Sequence, residues 1–314
     1  DGTIPSVGEL NPDIVAAALG KIFRIKYKPV ADDYAHAMQE IEKIIPLRQQ
    51  TFCAGCPHRA SYWNINAALK LDGRAGIVCG DIGCYTLGAL TPANGFNTVR
   101  TSHSMGSGTG IASGFAKLDA FGLKNPILSV CGDSTFYHAA IPALINARHN
   151  NANLTMIVLD NSGTAMTGFQ PHPGLCSGAS GETLPAIDIA EIARGIGAEV
   201  AICDPFDLEK TTAQLTTFME KADTVKVLIL RQICALSPEK KGKKKYLMKV
   251  NEELCRGEEC GCNRLCTRIF RCPALVWDKV KKKAVVDEVI CAGCGVCYSI
   301  CPQKAITKTE APPQ

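Results

Sequence analysis

The chain has 314 residues, of which 46% are hydrophobic and 20% are charged, and its formal net charge is +4. This composition allows one large core with a smaller appended module, and the small net charge gives no reason to expect nucleic-acid binding. No apolar run approaches the ~18–20 residues that span a bilayer, so no membrane segment is expected.

The chain begins with a segment that is punctuated by Pro and Gly. Its first residue is Asp1, and no signal-peptide pattern follows. We therefore expect a segment of a longer chain or one piece of an assembly. Residues 1–48 are predicted to be a lead-in, with helical stretches near Val15–Ile22 and Tyr34–Ile44.

From residue 49 to residue 236, short apolar runs alternate with helix-like segments and Gly-rich turns. The predicted strands are Ala75–Cys79, Pro126–Cys131, Leu154–Leu159 and Val225–Leu230.

 Alternation of this kind predicts βαβ units, and hence a doubly wound parallel sheet covered by helices on both faces. In such sheets, ligands bind where loops leave the carboxyl ends of the strands.

Polar motifs follow two of these strands. Cys131-Gly132-Asp133-Ser134 ends one strand and Asp160-Asn161-Ser162-Gly163 ends the next, which resembles the thiamine-diphosphate motif, with Ser134 where Gly is usual. Carboxylate, amide and backbone oxygens suit Mg2+, so Asp133, Asn161 and Gly163 are the predicted Mg2+ ligands.

Taken alone, Gly-Asp-Ser is equally compatible with an ordinary strand-end turn. The Gly-rich turn near Gly106 and the hydroxyl groups after Gly163 favour the cofactor site. The residues predicted to bind thiamine diphosphate and Mg2+ are Met105, Gly106, Gly132, Asp133, Ser134, Asn161, Gly163, Thr164, Thr167 and Gly168.

The composition changes at residue 237. Ser237-Pro238-Glu239 and the run Lys240–Lys245 predict a linker over residues 237–246, and a solvated linker is favoured over a landing patch for an acidic electron carrier. Residues 247–314 contain two similar halves, since residues 250–255 resemble residues 286–291 and each half ends in Cys-Pro. This indicates an internal duplication of a strand, a Cys loop and a short helix.

Cysteine is concentrated in that duplicated region. The chain has 17 Cys, nine of them between Cys255 and Cys301, and without a secretory signal metal binding is favoured over disulfides. The second half fits the bacterial ferredoxin run C-x2-C-x2-C-x3-C-P, with a structural zinc site as the less favoured alternative. One [4Fe-4S] cluster is predicted on Cys272, Cys291, Cys294 and Cys297, and another on Cys255, Cys266, Cys301 and either Cys260 or Cys262. This predicts an appended α+β two-cluster ferredoxin-like domain, and such clusters suggest an anaerobic cytoplasm.

Several segments together resemble the alpha subunit of indolepyruvate:ferredoxin oxidoreductases, within the 2-oxoacid:ferredoxin oxidoreductase superfamily. They are Cys53–Arg59, Gly80–Cys84, Ser102–Gly106, Asp160–Gln170, the Cys-Pro-Ala-Leu segment at Cys272 and the ferredoxin-like module. The resemblance implies oxidative decarboxylation of an aryl or other 2-oxoacid with CoA to acyl-CoA and CO2, with electrons passing through the clusters to ferredoxin. It covers the C-terminal half of that subunit. It therefore implies that a domain facing the thiamine pyrimidine comes from an upstream segment or a partner subunit.

The resemblance also implies a third cluster close to the thiamine, held by Cys53, Cys56, Cys84 and Cys234. The alternative is that Cys53 and Cys56 form a structural pair and the other two are core thiols. His58 and His103 are candidates for contacts to the substrate carboxylate or the reacting oxygen. The remaining thiols, taken as core or incidental, are Cys79, Cys131, Cys176 and Cys203.

Two other functions remain open at this stage. A non-redox thiamine-diphosphate decarboxylase or synthase with a ferredoxin-like tail would share Asp133 and Asn161, but it has no use for closely spaced cluster cysteines. An electron-transfer polypeptide without catalysis would bind no thiamine diphosphate. The sequence does not predict which 2-oxoacid is used.

Overall fold

The structure is a computed structural model that describes residues 2–8, 10–28, 32–45, 50–89, 96–222 and 224–312. The chain divides into two compact units, residues 1–49 and residues 50–314. The predicted boundary at residues 48 and 49 lies outside the described residues. Among the described residues, no helix combines the length and the apolar character needed to cross a bilayer.

The first unit contains two helices, α1 (Pro12–Phe23) and α2 (Asp32–Ile44), which confirms both predicted helical stretches. Asn11 caps α1, because its side chain accepts a hydrogen bond from the N–H of Ile14 at 3.0 Å. Pro12 follows in the first turn, where its missing N–H has no cost.

The second unit is built on a six-stranded, wholly parallel sheet with the strand order β2-β1-β3-β4-β6-β5. The strands are β1 (Ile77–Gly80), β2 (Val99–Ser102), β3 (Ile127–Gly132), β4 (Leu154–Asp160), β5 (Glu199–Cys203) and β6 (Val225–Arg231). The four predicted strands are confirmed as β1, β3, β4 and β6. The sequence does not predict β2 and β5. Both lie at the edges of the sheet, where strands carry more polar and exposed residues than the central strands do.

Helices cover both faces of this sheet, as predicted. They are α3 (Pro57–Asp72), α4 (Ser107–Ala116), α5 (Asp133–Thr135), α6 (Ile141–His149), α7 (Ile189–Ile196) and α8 (Leu208–Glu220). Successive residues of β4 show the two layers, since Met156 belongs to the core under α4, α6 and α7, whereas Ile157 belongs to the core under α3 and α8. The carboxyl ends of the strands therefore form a single edge between two layers of helices.

The C-terminal module, residues 246–310, consists of two antiparallel ribbons and short helical turns. β7 (Tyr246–Val250) pairs with β10 (Ile306–Glu310), and β8 (Leu275–Asp278) pairs with β9 (Lys283–Val286). A π-helical turn, Leu265–Phe270, follows the first Cys loop, and α9 (Val296–Ile300) follows the second. This arrangement confirms the predicted duplication and the α+β ferredoxin-like fold.

The module packs directly against helix α3 of the sheet domain. Ala60 belongs to the apolar core of the module, and the rings of Trp63 and Phe270 meet edge to face at 5.7 Å. In the predicted linker, Lys240 lies over the Phe206 ring at 5.2 Å and donates a hydrogen bond to Gln232 at 3.2 Å. This lysine therefore contacts the sheet domain.

Candidate functional site

A cavity of about 180 Å³ opens at the carboxyl ends of β1, β3 and β4. It is lined by His58, Ile82, Gly83, Cys84, Tyr85, Met105, Gly132, Asp133, Ser134, Thr135, Asn161, Gly163, Thr164, Ala165, Met166 and Thr167. Parallel strands bring their carboxyl ends to one edge, which is why motifs far apart in the sequence meet here. Gly106, Gly168 and His103 are not among the lining residues, and His103 is exposed.

Asp133 is the central polar group of this cavity. Its carboxylate is buried, and one oxygen, Oδ2, accepts hydrogen bonds from the backbone N–H groups of Asn161 at 3.2 Å and Gly163 at 3.1 Å. The other oxygen, Oδ1, accepts from the N–H of Ser134 at 2.8 Å. These bonds fix the carboxylate and tie the end of β3 to the loop after β4.

The loop after β4 follows a tight path next to Asp133. Ser162 and Gly163 have positive φ values, and Thr164 bridges to Gln170 in a short antiparallel pairing. A 3-10 turn, Ala165–Thr167, lies within this loop. The loop therefore places Gly163, Thr164 and Thr167 along one wall of the cavity.

His172 was not predicted, although it contacts Asp133. Its Nε2 lies 3.2 Å from Asp133 Oδ2, and both side chains are almost fully buried. The ring nitrogen Nδ1 accepts a hydrogen bond from the N–H of Gly174 at 3.1 Å, which assigns the proton of the neutral ring to Nε2, on the side of Asp133. The distance fits a contact, but Nε2 makes no well-aligned hydrogen bond with any of the residues that the structure describes.

Tyr137 supports the ring of His172 from one side. The two rings are stacked at 5.5 Å with an angle of 27° between them, and the Tyr137 hydroxyl donates to the carbonyl of Ile187. Burial raises the pKa of Tyr137 to about 12, and the nearby carboxylates of Asp160 and Asp188 add to the shift. Tyr137 therefore stays neutral, and its ring orients His172.

Asp81 is a second buried carboxylate that was not assigned to the site, at the end of β1. Tyr85 donates to its Oδ1, and the N–H of Gly106 donates to its Oδ2 at 2.9 Å. Burial raises the pKa of Asp81 to about 6, although these hydrogen bonds act against the shift. Gly106 has φ +84°, and a side chain there would meet Ala139 at 2.4 Å, so this turn requires glycine.

Of the two predicted catalytic histidines, only His58 reaches the cavity. It is buried, and its ring meets the Tyr85 ring edge to face at 6.3 Å. Burial lowers the pKa of His58 to about 4, against the opposing effect of Asp133. The ring is therefore neutral near pH 7 and is suited to hydrogen bonding.

The predicted proximal thiols, named here the first thiol group, lie near one another beside the cavity: they are Cys53, Cys56, Cys84 and Cys234. Burial raises the pKa of Cys84, and the neighbouring thiols of Cys234 and Cys53 raise it further. Burial also raises the pKa of Cys56 to about 12. Cys84 lines the cavity itself. The N–H of Cys234 donates to the carbonyl of Asn161 at 3.0 Å, which joins this group to the loop after β4.

Within the module, thiols of the same predicted set raise one another's pKa. The second thiol group consists of Cys272, Cys291, Cys294 and Cys297, and burial raises the pKa of Cys294 to about 11, with Cys272 and Cys291 adding to it. The third thiol group consists of Cys255, Cys260, Cys262, Cys266 and Cys301. Burial raises the pKa of Cys266 to about 11, and the thiols that add to it are Cys262, Cys301 and Cys255.

In the part of the chain that the structure describes, no group of three or more His, Cys, Asp or Glu side chains could hold a metal ion. The remaining thiols are mixed in character: Cys79 and Cys131 are buried, Cys203 is half-buried and Cys176 is exposed.

Two family models match the chain. Residues 81–229 match the thiamine pyrophosphate enzyme C-terminal TPP binding domain, and residues 284–307 match the 4Fe-4S binding domain. The first range contains Asp133 and Asn161, and the second contains the C-x2-C-x2-C-x3-C run of the module.

Curated relatives match nearly the whole chain. The indolepyruvate oxidoreductase subunit IorA of Pyrococcus horikoshii is 37% identical over 330 residues, which cover 98% of this chain and 48% of that protein. The IorA subunit of Archaeoglobus fulgidus is 37% identical over 318 residues, covering 99% of this chain and 48% of that protein. The chain thus spans about half the length of these relatives.

More distant matches cover a smaller share of the chain. The 2-oxoglutarate synthase subunit KorB of Archaeoglobus fulgidus is 30% identical over 182 residues, covering 54% of this chain and 62% of that protein. A solved structure of 2-oxoglutarate:ferredoxin oxidoreductase from Magnetococcus marinus, with 2-oxoglutarate, coenzyme A and succinyl-CoA bound, aligns with a TM-score of 0.47 at 16% identity. That alignment covers 60% of this chain and 66% of the other.

Proposed function

This chain belongs to the family of the indolepyruvate oxidoreductase subunit IorA, and on that premise we propose that it is the thiamine-diphosphate and iron–sulfur part of a 2-oxoacid:ferredoxin oxidoreductase. The proposed reaction converts an aryl or other 2-oxoacid, with CoA, to acyl-CoA and CO2, and passes the electrons to ferredoxin. One observation carries the proposal: the cavity that contains Asp133 and Asn161 shares a wall with Cys84 of the first thiol group.

The residues of the cavity fit Mg2+ and a diphosphate. Asp133 offers a buried carboxylate, Asn161 a buried side-chain amide and Gly163 a backbone carbonyl, all of them oxygen donors of the kind that Mg2+ prefers. The Thr164 and Thr167 hydroxyls and the backbone of the same loop are suited to phosphate oxygens. When bound, thiamine diphosphate supplies the electron sink that allows a 2-oxoacid to lose CO2.

The chain's own residues bind, orient and exclude water in this scheme. His172 and the three backbone N–H groups on Asp133 hold that carboxylate in position for Mg2+. Met105 contributes apolar surface to the cavity wall, as expected for a residue that contacts the cofactor ring. His58, neutral because burial lowers its pKa, offers a ring nitrogen to the substrate carboxylate or the reacting oxygen. For His103, we propose no role beyond the substrate contact that was predicted from its motif.

The three thiol groups are proposed to hold three [4Fe-4S] clusters in series. In the absence of clusters, burial keeps most of these thiols protonated, so assembly of a cluster releases protons and stabilises the surrounding loops. The first group would accept electrons beside the cavity. The second and third groups would carry them towards ferredoxin.

We assign the fourth ligand of the third group to Cys262. Gly295 and Arg264 both have positive φ immediately before the helical turns that contain Cys297 and Cys266, so the two loops enter their helices in the same way. Cys262 lies four residues before Cys266, which is one residue more than the separation of Cys294 from Cys297. Replacing Cys262 with Ser should remove about four irons per chain, whereas Cys260→Ser should leave the iron content unchanged. The reverse result would reassign the ligand.

The rest of the site is proposed to come from a domain or subunit that faces the thiamine pyrimidine. In the resembling family such a domain completes the cofactor site, and this chain spans about half the length of its curated relatives. The non-redox decarboxylase is the second candidate, and Cys84 in the cavity wall favours the oxidoreductase over it.

The decisive experiment uses the native complex, purified without oxygen. Indolepyruvate or pyruvate is added with CoA, and cluster absorbance and electron paramagnetic resonance are followed. Substrate-dependent reduction of the clusters is the expected result. Release of CO2 while the clusters stay oxidised would identify a non-redox decarboxylase. Absence of bound thiamine diphosphate would identify a non-catalytic electron carrier.

A variant complex tests the role of Cys84. A Cys84→Ser complex that retains thiamine diphosphate should still release CO2, but its clusters should be reduced more slowly than those of the wild type.

A further inference from the structure

The loops of the first and second thiol groups touch. Gly55 lies between Cys53 and Cys56 with φ +70°, and a side chain at this position would meet the Cβ of Ala292 at 2.6 Å and that of Cys294 at 3.7 Å. Ala292 in turn lies between Cys291 and Cys294. Glycine at position 55 therefore allows two Cys loops, distant in sequence, to approach each other closely.

Arg59 joins the same two loops from inside the protein. It is 2% exposed, and its Nη1 donates to the carbonyls of Phe270 and Arg271, each at 2.7 Å. Its Nη2 donates to the carbonyl of Phe52 and to the Thr51 hydroxyl. Phe52 directly precedes Cys53 and Arg271 directly precedes Cys272. One guanidinium thus fixes the backbone that leads into a predicted ligand of each cluster.

Among the described residues, no carboxylate pairs with the charge of Arg59. In the described part of the chain, its partners are three carbonyl groups and one hydroxyl, and no ion pair with Asp or Glu is formed. A buried cation of this kind is costly unless anions lie nearby. The ionisable groups that act on it are the thiols of Cys272, Cys56, Cys53 and Cys294, from both thiol groups, which oppose the lowering of its pKa by burial.

One donor of Arg59 also lacks a partner. A guanidinium carries five N–H donors, and its two Nη atoms account for four hydrogen bonds. The remaining donor, Nε–H, is buried and has no hydrogen-bond partner among the described residues. Buried donors are rarely left unpaired, so such a group calls for an acceptor.

We propose that Arg59 is a positioning residue for electron transfer between the clusters of the first and second thiol groups, and that its charge and its free N–H stabilise their reduced states. The inference rests on the proposed function for the source of the electrons. Each step moves one electron from the first cluster to the second, and no bond forms or breaks. The electron originates in oxidation of the 2-oxoacid and leaves on ferredoxin. A fixed positive charge favours the extra negative charge of a reduced cluster, and the effect is large where water is excluded.

The test measures reduction potentials in the complex by titration with dithionite and mediators, followed by electron paramagnetic resonance. In Arg59→Gln, the clusters of the first and second groups should become harder to reduce. The expected size is about tenfold in the ratio of reduced to oxidised cluster, or ~59 mV for one electron. The cluster of the third group should not change, because none of its thiols is among those that act on Arg59.

Two variants separate charge from structure. Arg59→Lys keeps the charge but loses the forked hydrogen bonds, and its potentials should stay close to those of the wild type. Arg148→Gln removes an exposed arginine that also binds a backbone carbonyl, that of Gly197 at 3.1 Å, and should change no potential. If Arg59→Gln loses its clusters, the test uses Arg59→Lys instead. Potentials that shift by ~59 mV or more in Arg59→Lys would contradict a role for the charge, because this variant keeps the charge.

Unchanged potentials in an Arg59→Gln complex that retains all its iron would overturn the proposal, as would an iron content that leaves no cluster on the first thiol group. The titration needs neither 2-oxoacid nor thiamine diphosphate. Its failure is therefore distinct from failure of the proposed function, in which substrate leaves the clusters oxidised while dithionite still reduces them.

Discussion

In the sheet domain, the predicted cofactor ligands are held by the fold itself, whereas in the C-terminal module the predicted ligands help to form the core. Asp133 receives three backbone N–H groups from the ends of two strands, inside a domain with extensive apolar layers on both faces of the sheet. The module has a small core, in which Cys297 is itself a buried member and Ala60 is borrowed from α3. Domains of this size usually need disulfides or metal for stability. The cavity is therefore expected to exist without its cofactor, and the module to depend on its clusters.

The largest expected effect is loss of the module's structure on removing a cluster ligand. Cys297→Ser, or chelation of the iron, should reduce the hydrogen-exchange protection of β7 and β10 by more than about 100-fold, because metal binding and folding are coupled. Strands β3 and β4 should keep their protection. Cys203→Ser, at a half-buried thiol outside the three groups, serves as the control. Equal loss in both regions would contradict the comparison.

Removal of the central carboxylate of the cavity should weaken cofactor binding while the sheet domain stays folded. Asp133→Asn is expected to weaken binding of thiamine diphosphate with Mg2+ by about 100-fold or more, because a metal ligand and an oriented acceptor are both lost. Calorimetric titration of the complex measures this change, and circular dichroism checks that the sheet remains folded. The matched variant Asp207→Asn alters the start of α8, where Asp207 accepts from the N–H of Lys210 and pairs with the Lys210 ammonium at 3.3 Å. Its affinity should equal that of the wild type.

Asp81 should give the sheet domain a pH dependence of its own. The folded protein holds the Asp81 proton more tightly than an unfolded chain does, since burial raises the pKa from 3.8 to about 6. The stabilisation is complete below about pH 4 and is lost as the pH rises through about 6. The total is on the order of 3 kcal/mol.

Denaturant unfolding of the sheet domain between pH 4 and pH 7 tests this expectation. Asp81→Asn should flatten the profile in this window, and Asp119→Asn, at an exposed carboxylate, should leave it unchanged. A profile that is equally steep without Asp81 would assign the pH dependence to another group.

The smallest expected effect belongs to His172. Because His172 contacts Asp133 and is not among the residues that line the cavity, His172→Gln should weaken cofactor binding by about 10-fold, the lower end of the range for residues that orient a metal ligand. The comparison variant is His149→Gln, at the exposed end of α6. Binding as weak as that of Asp133→Asn would instead make His172 a direct ligand.

The fold was predictable where a local pattern dictates it. The apolar runs of β3, β4 and β6 are buried on both faces, and this makes them visible in the sequence. The edge strands β2 and β5 mix polar and apolar residues, so they lack that signal. The duplicated module was predictable because the repeat itself identifies equivalent positions.

The site was predictable in part for the same reason. Asp133 and Asn161 follow recognised strands, and the spacing of the thiols predicts the second and third thiol groups. The first thiol group was predicted only from the family resemblance. His172 lies on a loop without periodicity, whose path depends on hydrogen bonds such as that from the Ile187 N–H to the Pro173 carbonyl at 2.9 Å. Arg59 could not be predicted as a link to the module, because its partners Phe270 and Arg271 are more than 200 positions away and meet it only in the folded protein.

Helix α3 connects the two regions in a way that bears on the rate of the proposed electron transfer. It begins directly after Cys56, and the next turns carry Arg59, Ala60 and Trp63, which hold the module. A single helix therefore fixes the spacing between the first and second thiol groups. The module does not resemble a mobile domain on a flexible linker. In the proposed function, electron flow between these two groups is then governed by distance and driving force. It should be insensitive to solvent viscosity, and only the encounter with ferredoxin should slow down in glycerol.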